Sequence, residues 1–413
     1  MDDRYARPIL DEGVPGLTSL FSWMVTIDQP DVHDAYSNGA TSRAEDPVPT
    51  EYQEFSMLLT HEQLHFMQAI TTSYLYRLAC RAFAEIQAAV AYVKNLPKGR
   101  VELPISLHWH LPDLLDDMRV KSKELATPEI PGISALDLME GSAVYLVQRM
   151  QRTGMTNKSY LNYLATSFGA ARMGQYSDAY HLAEWYLGDD VFEVFSAICY
   201  LALCTEEPGE VFCRYIRALG KSGILNETKK PSTQQIFDIG WTYGIRTVTS
   251  SYTEMEKGSR HPILTAHMLS FMVNFPEGFP FLEFAARPYE FHDANIFLNV
   301  MAPMTLFRGG TGLSAKYLPD YTKSDGSRAE GDARRTSLDI LVGLHTLCGA
   351  ILAMLLPEEH VMQCPHSECP FHKLQLCYAR PMIPAHFEEC TFPEFIQEML
   401  GQDLSTFTSA RGG

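Results

Sequence analysis

The sequence predicts a mainly α fold of the α+β kind, with a small β-sheet and a cysteine-rich C-terminal segment, on three observations. Tyr52, Phe55, Leu58, Leu59, Leu64, Phe66, Met67, Ile70, Leu75 and Leu78 recur at roughly the 3.6-residue period of a helix. Neither proline nor glycine interrupts that run between Glu51 and Leu96. Helical patterning resumes from Lys158 to about Met272, whereas only two runs of the whole chain read as strands.

Residues 1–50 are rich in Asp, Pro and Gly and read as an irregular surface segment, apart from the strand candidate Leu20–Ile27. The long periodic helix opens a helical domain, 51–330, which also holds the second strand candidate, Val101–His110. Ser134-Ala-Leu-Asp137 resembles a capping box, and an amphipathic helix follows it. Gly188-Asp-Asp, Glu206-Glu-Pro-Gly and Lys229-Lys-Pro-Ser break the later helical stretch, and Phe275-Pro-Glu-Gly-Phe-Pro reads as a loop. Arg308-Gly-Gly-Thr-Gly312 lacks the Gly-Lys-Ser/Thr ending of a phosphate loop and reads as a turn. The polar run Pro319–Arg335 marks a boundary, after which 331–413 comprises a C-terminal helix and the cysteine-rich segment. Ser337–Leu356 approaches membrane-spanning length, but Asp339 and His345 are expensive in hydrocarbon, so a buried helix and no membrane span are expected.

The composition narrows the function classes. With 413 residues, 46 % of them hydrophobic, the chain can build a substantial core and two or three domains. A formal charge of −17 argues against nucleic acid as a partner, because that affinity rests on Lys and Arg neutralising phosphates. Basic substrates or partners are favoured instead. The opening Met1-Asp-Asp-Arg-Tyr-Ala-Arg-Pro has no basic start followed by an apolar run, which points to a cytoplasmic location. Of nine cysteines, Cys80, Cys199, Cys204, Cys213 and Cys348 lie in apolar helical contexts and read as reduced, buried thiols.

The chemistry concentrates in Thr60-His61-Glu62-Gln63-Leu64-His65, inside the long helix. Two imidazoles four residues apart stand one turn apart on one helical face, where both reach one metal at about 2.0–2.1 Å. Glu62, beside the first ligand, is placed to take a proton from a metal-bound water. A catalytic zinc wants a third protein ligand and an open position. Gln68 and Thr71 occupy the Gly and His positions of the extended His-Glu-x-x-His-x-x-Gly-x-x-His pattern, which excludes that branch. A glutamate from a second helix is the other option, and Glu140 lies about one and a half turns into the helix after Ser134. Gly141 and Ala143 would let that helix approach the metal helix closely. Glu184 in His181-Leu-Ala-Glu184 is the rival ligand, whereas Glu85 is expected on the motif helix itself, from which it does not fold back to the metal.

At these residues the chain resembles the gluzincins, metallopeptidases with two His ligands from His-Glu-x-x-His and a downstream Glu. Glu140-Gly-Ser-Ala-Val-Tyr145 is similar to their Glu-Gly-x-Ala-x-Tyr segment, and His65-Phe-Met-Gln68 to the His-x-x-Gln ending of some bacterial toxin-associated metallopeptidases. The resemblance covers two short helical segments. It implies a zincin-like domain with the two strands in one small sheet beside the metal helix. It also implies catalytic Zn²⁺ on His61, His65 and Glu140, with Glu62 as general base in hydrolysis of a peptide or protein substrate. Tyr145, Tyr176 and His181 are candidates to steady the oxyanion.

A second constellation is Cys364, Cys369, Cys377 and Cys390, with His372 three residues after Cys369. Four thiolates in a proline-punctuated tail can hold a structural Zn²⁺ or an iron–sulfur cluster, stapling a segment with little core of its own. Two other function classes stay open. One is a non-catalytic helical interaction protein with a structural or inert zinc site. The other is a di-iron carboxylate oxidoreductase built on Glu62-Gln-Leu-His65, although the chain holds no second Glu-x-x-His.

Overall fold

The computed structural model describes residues 16–18, 25–28, 50–107, 110–152, 154–167, 173–226, 233–242, 264, 305–309, 312–316, 347–352, 354–355 and 392–409. Helices dominate them. The periodic run forms two successive helices, α1 (Thr50–Thr71) and α2 (Ser73–Lys94), separated only at Thr72. Thr71 and Thr72 return their hydroxyls to the carbonyls of Met67 (2.5 Å) and Gln68 (2.7 Å). Such back-bonding one turn down is the local feature of a break where no proline or glycine stands, although the Thr72 amide still donates to the Gln68 carbonyl (2.8 Å).

The helices that follow are α3 (Leu111–Arg119), α4 (Ala135–Gln151), α5 (Asn157–Ser167), α6 (Met173–Leu187), α7 (Val191–Leu203), α8 (Pro208–Ser222) and α9 (Thr233–Thr242). The expected capping box opens α4: Ser134 Oγ accepts from the Asp137 amide (3.2 Å), and Asp137 Oδ2 accepts from the Ser134 amide (2.8 Å). Two of the predicted breaks fall at helix boundaries, with Gly188 at positive φ after α6 and Pro208 in the first turn of α8, and Lys229-Lys-Pro-Ser lies outside the described residues.

The chain divides into two compact units. One comprises Met1–Glu62, Arg81–Pro112 and Ala302–Gly413, the other Gln63–Cys80 and Asp113–Met301. The second unit is helical. Its core is an aromatic cluster in which Tyr145, Tyr160, Tyr180, Phe195 and Phe212 are essentially solvent-free. Tyr160 and Tyr180 meet edge to face at 4.6 Å, and Tyr180 and Phe195 at 4.9 Å. Tyr180 donates to Asn157 Oδ1 (2.7 Å), whose amide donates to Asp189, so the Tyr180 hydroxyl stays satisfied, whereas the buried Tyr160 hydroxyl has no hydrogen-bond partner among the described residues.

The first unit holds both small sheets. β1 (Gly16–Thr18) and β2 (Val25–Asp28) pair antiparallel, β2 pairs parallel with β4 (Thr305–Gly309), and β4 pairs antiparallel with β5 (Gly312–Lys316). β3 (Val101–Leu103) pairs parallel with β6 (Phe407–Ser409). This corrects the expectation of one sheet made from the two strand candidates, since β2 and β3 belong to different sheets. The second candidate is also short: Pro104 has no amide hydrogen to continue a ladder, and pairing stops at Leu103. The glycine run read as a turn stands where β4 gives way to its antiparallel partner β5, with Gly309 paired to Gly312. Between the last described helix, α10 (Phe392–Leu400), and β6, Gln402 Nε2 donates to the carbonyls of Val93, Lys94 and Leu96 at 3.0–3.2 Å. Val93 and Lys94 end α2 and Leu96 follows it, so one side chain caps that helix end.

Residues 347–352 and 354–355, from the predicted C-terminal helix, are helical and buried. No helix among the described residues is long and apolar enough to cross a membrane. Cys199, Cys213 and Cys348 are buried as expected, while Cys80 and Cys204 are half-buried. Cys364, Cys369, Cys377 and Cys390 lie outside the described residues.

Candidate metal centre

Every residue of α1 from Glu62 to Ile70 is buried, so the motif occupies a helix enclosed on all its faces rather than a surface stripe. Polar groups in such a place need partners or a ligand. His61 is half-buried, Glu62 is 6 % exposed and His65 is 5 % exposed. Glu140, in the second turn of α4, keeps 14 % of its side chain accessible.

The helical spacing and the packing of α4 bring three ligands together: one atom each from His61, His65 and Glu140 lies within 4.8 Å of the others. His65 Nε2 stands 3.3 Å from Glu140 Oε2. Two atoms each about 2.0–2.1 Å from one tetrahedral ion stand roughly 3.3–3.4 Å apart, so that separation suits a shared cation. Two imidazoles and a carboxylate are a borderline-soft donor set that suits zinc and other late first-row divalent metals. Glu62, one residue after the first of these histidines, belongs to the same buried turn.

The remaining sequence candidates fall elsewhere. Glu184 is a half-buried residue of α6 and is not a member of the three-residue group. Glu85 proves to lie on α2, past the Thr72 break, where its carboxylate accepts from the backbone amide of His110 (3.1 Å). Tyr145 is fully buried, donates its hydroxyl to the Phe192 carbonyl and accepts from Arg149 (3.0 Å). Its hydroxyl is therefore committed to holding α4 against α7, which corrects its candidacy for the oxyanion. Tyr176 and His181 are half-buried on α6.

Gly141 also acts differently from expectation. A Cβ there would meet the Tyr176 carbonyl at 3.5 Å, the Phe195 ring at 3.8 Å and Ala179 Cβ at 3.9 Å. Its open side thus faces α6 and α7 rather than α1. Beside the His65–Glu140 approach, polar contacts between α1 and α4 run through Gln68, which sequence reading registered as the residue in place of the extended pattern's glycine and as part of a His-x-x-Gln ending. Its buried amide touches His65 and α4 together. The three-residue spacing from His65, which puts both side chains on one side of the helix, was the available signal.

Comparison of the chain with protein-family models, with curated proteins and with solved structures gave no match.

Proposed function

We propose that this protein is a zinc-dependent metallopeptidase with a zincin-like helical core, in which His61, His65 and Glu140 hold the metal and Glu62 is the general base. The observation that carries this reading is the convergence of those three ligands within 4.8 Å, two of them on the helix that also carries Glu62. The His-Glu-x-x-His and Glu-Gly-x-Ala resemblance supports it from the sequence side. The donor set fits a catalytic rather than a closed structural site: three protein ligands leave a tetrahedral ion one open position.

When bound, zinc supplies Lewis acidity that polarises a carbonyl and makes a coordinated water easier to deprotonate. Glu62 accepts the water proton and returns it to the leaving amine, so one carboxylate serves as base and then as acid. Its burial favours this shuttle, because a carboxylate removed from bulk water exchanges protons chiefly with the groups in front of it. The net charge of −17 favours basic peptides at the level of long-range attraction.

Glu62→Gln tests the reading. The variant is expected to keep one zinc per site and the wild-type unfolding midpoint, while hydrolysis of a fluorogenic peptide library falls on the order of 10²-fold or more. Wild-type turnover in fully metallated Glu62→Gln would exclude Glu62 as the base. Zinc bound by a wild-type protein that cleaves nothing in the library would favour the inert-site interaction protein.

A further inference from the structure

Gln68 is 3 % exposed and uses both ends of its amide. Oε1 lies 3.0 Å from His65 Nδ1, while Nε2 lies 3.1 Å from the Met139 carbonyl and 2.9 Å from Ser142 Oγ. Chemistry dictates which atom plays which part. A carbonyl only accepts, so the amide end facing Met139 is the NH₂ group and the end facing His65 is the oxygen. Ser142 agrees, since its hydroxyl donates to the Leu138 carbonyl (2.6 Å) and its lone pairs are left to accept from Gln68. An amide oxygen also only accepts, so His65 carries its proton on Nδ1. A neutral imidazole has one N–H, which leaves the lone pair on Nε2. Nε2 is the atom 3.3 Å from Glu140.

We infer that Gln68 is a positioning residue of the metal centre, fixing the Nδ1–H tautomer of His65 and tying α1 to α4 on both sides of Glu140. The inference rests on the metal reading above and deepens it. Met139 and Ser142 bracket Glu140 along α4, so one buried side chain sets the nitrogen His65 offers and the place from which Glu140 approaches. Partners of this kind raise ligand basicity and hold ring orientation, and losing one typically weakens metal affinity about 10–100-fold.

Two measurements on the full chain test this. In metal-stripped ¹⁵N-labelled protein at pH 8, long-range ¹H–¹⁵N spectra, assigned by comparison with His65→Gln, are expected to show His65 as the Nδ1–H tautomer. Gln68→Leu should shift it toward a tautomer mixture, whereas Gln68→Glu, which still offers an acceptor oxygen, should retain it. In chelator competition with Zn²⁺ alone, Gln68→Leu should weaken binding about 10–100-fold, and Ser142→Ala, which spares the Met139 contact, by less. If Gln68→Leu does not fold, the Gln68→Glu and Ser142→Ala spectra carry the test, since both are expected to keep Nδ1–H. An Nε2–H tautomer in the wild type would overturn the inference, as would wild-type tautomer and zinc affinity in folded Gln68→Leu. A wild type that takes up no Zn²⁺, with the expected tautomers in every variant, would overturn the metal reading and leave the hydrogen-bonding role of Gln68 standing.

Discussion

Glu140→Ala is the perturbation that separates this metal centre from a coincidence of polar residues. Structural zinc with four protein ligands binds with an apparent free energy of about 10–16 kcal/mol, so one ligand accounts for roughly 2.5–4 kcal/mol. Water entering the vacated position recovers part of this, leaving a loss of about 2–3 kcal/mol, or roughly 30- to 150-fold in affinity. In the metal-free protein the same substitution should be mild. Glu140 is partly accessible, its partner His65 is charged only when protonated, and alanine is the better helix former. The expected pattern is therefore an unchanged denaturant midpoint without metal and a lost stabilisation by added zinc, read beside chelator competition at pH 7. Glu184→Ala on α6 serves as the control and should stay within about twofold of wild type, since it removes no member of the cluster. Equal or greater loss in Glu184→Ala, or wild-type affinity in Glu140→Ala, would refute the assignment of the third ligand.

Gly209→Ala should destabilise the protein by about 2–4 kcal/mol, because the added Cβ would stand 2.1 Å from the Ile133 carbonyl, which also accepts from the Ser122 amide (2.8 Å). Urea unfolding checks this, and a loss under 1 kcal/mol would show that the backbone at Ile133 yields freely. Burial raises the Asp178 carboxyl above its ordinary range, Asp137 adds to the shift, and Lys121 and His181 oppose it. The native state therefore holds this proton longer than the unfolded chain, so its contribution to stability is greatest at low pH. It declines as pH rises from the ordinary aspartate value through the raised native one. Asp178→Asn should remove that part of the pH dependence in denaturant midpoints, and a wild-type advantage that grows with pH would contradict the sign. Burial pushes the Cys213 thiol up to about 11 and the Cys348 thiol up to about 12. At pH 8 roughly one Cys213 in 10³ is thiolate, so both should resist iodoacetamide natively and react in urea, as read by mass spectrometry. Equal native and unfolded rates would mean that these positions open readily.

The sequence by itself determined the features whose physics is local. A helix closes its hydrogen bonds within four residues, so the α1 rhythm, the one-turn spacing of His61 and His65 and the Ser134–Asp137 capping box were all legible before any fold was known. Even the Thr72 break uses contacts four residues apart, though two threonines are a weaker signal than a proline. Tertiary structure alone decided what depends on residues distant in the chain. Strand pairing joins β2 to β4 and β3 to β6, and a short apolar run does not name its partner. Glu140 and Glu184 are both glutamates on amphipathic helices, and only the packing of α4 brings one of them to the histidines. Tyr145 looked free to reach a substrate until the Phe192 carbonyl took its hydroxyl. Gln68 acquires its meaning from a backbone carbonyl and a serine on another helix, because a buried polar group is defined by whatever the fold sets opposite it.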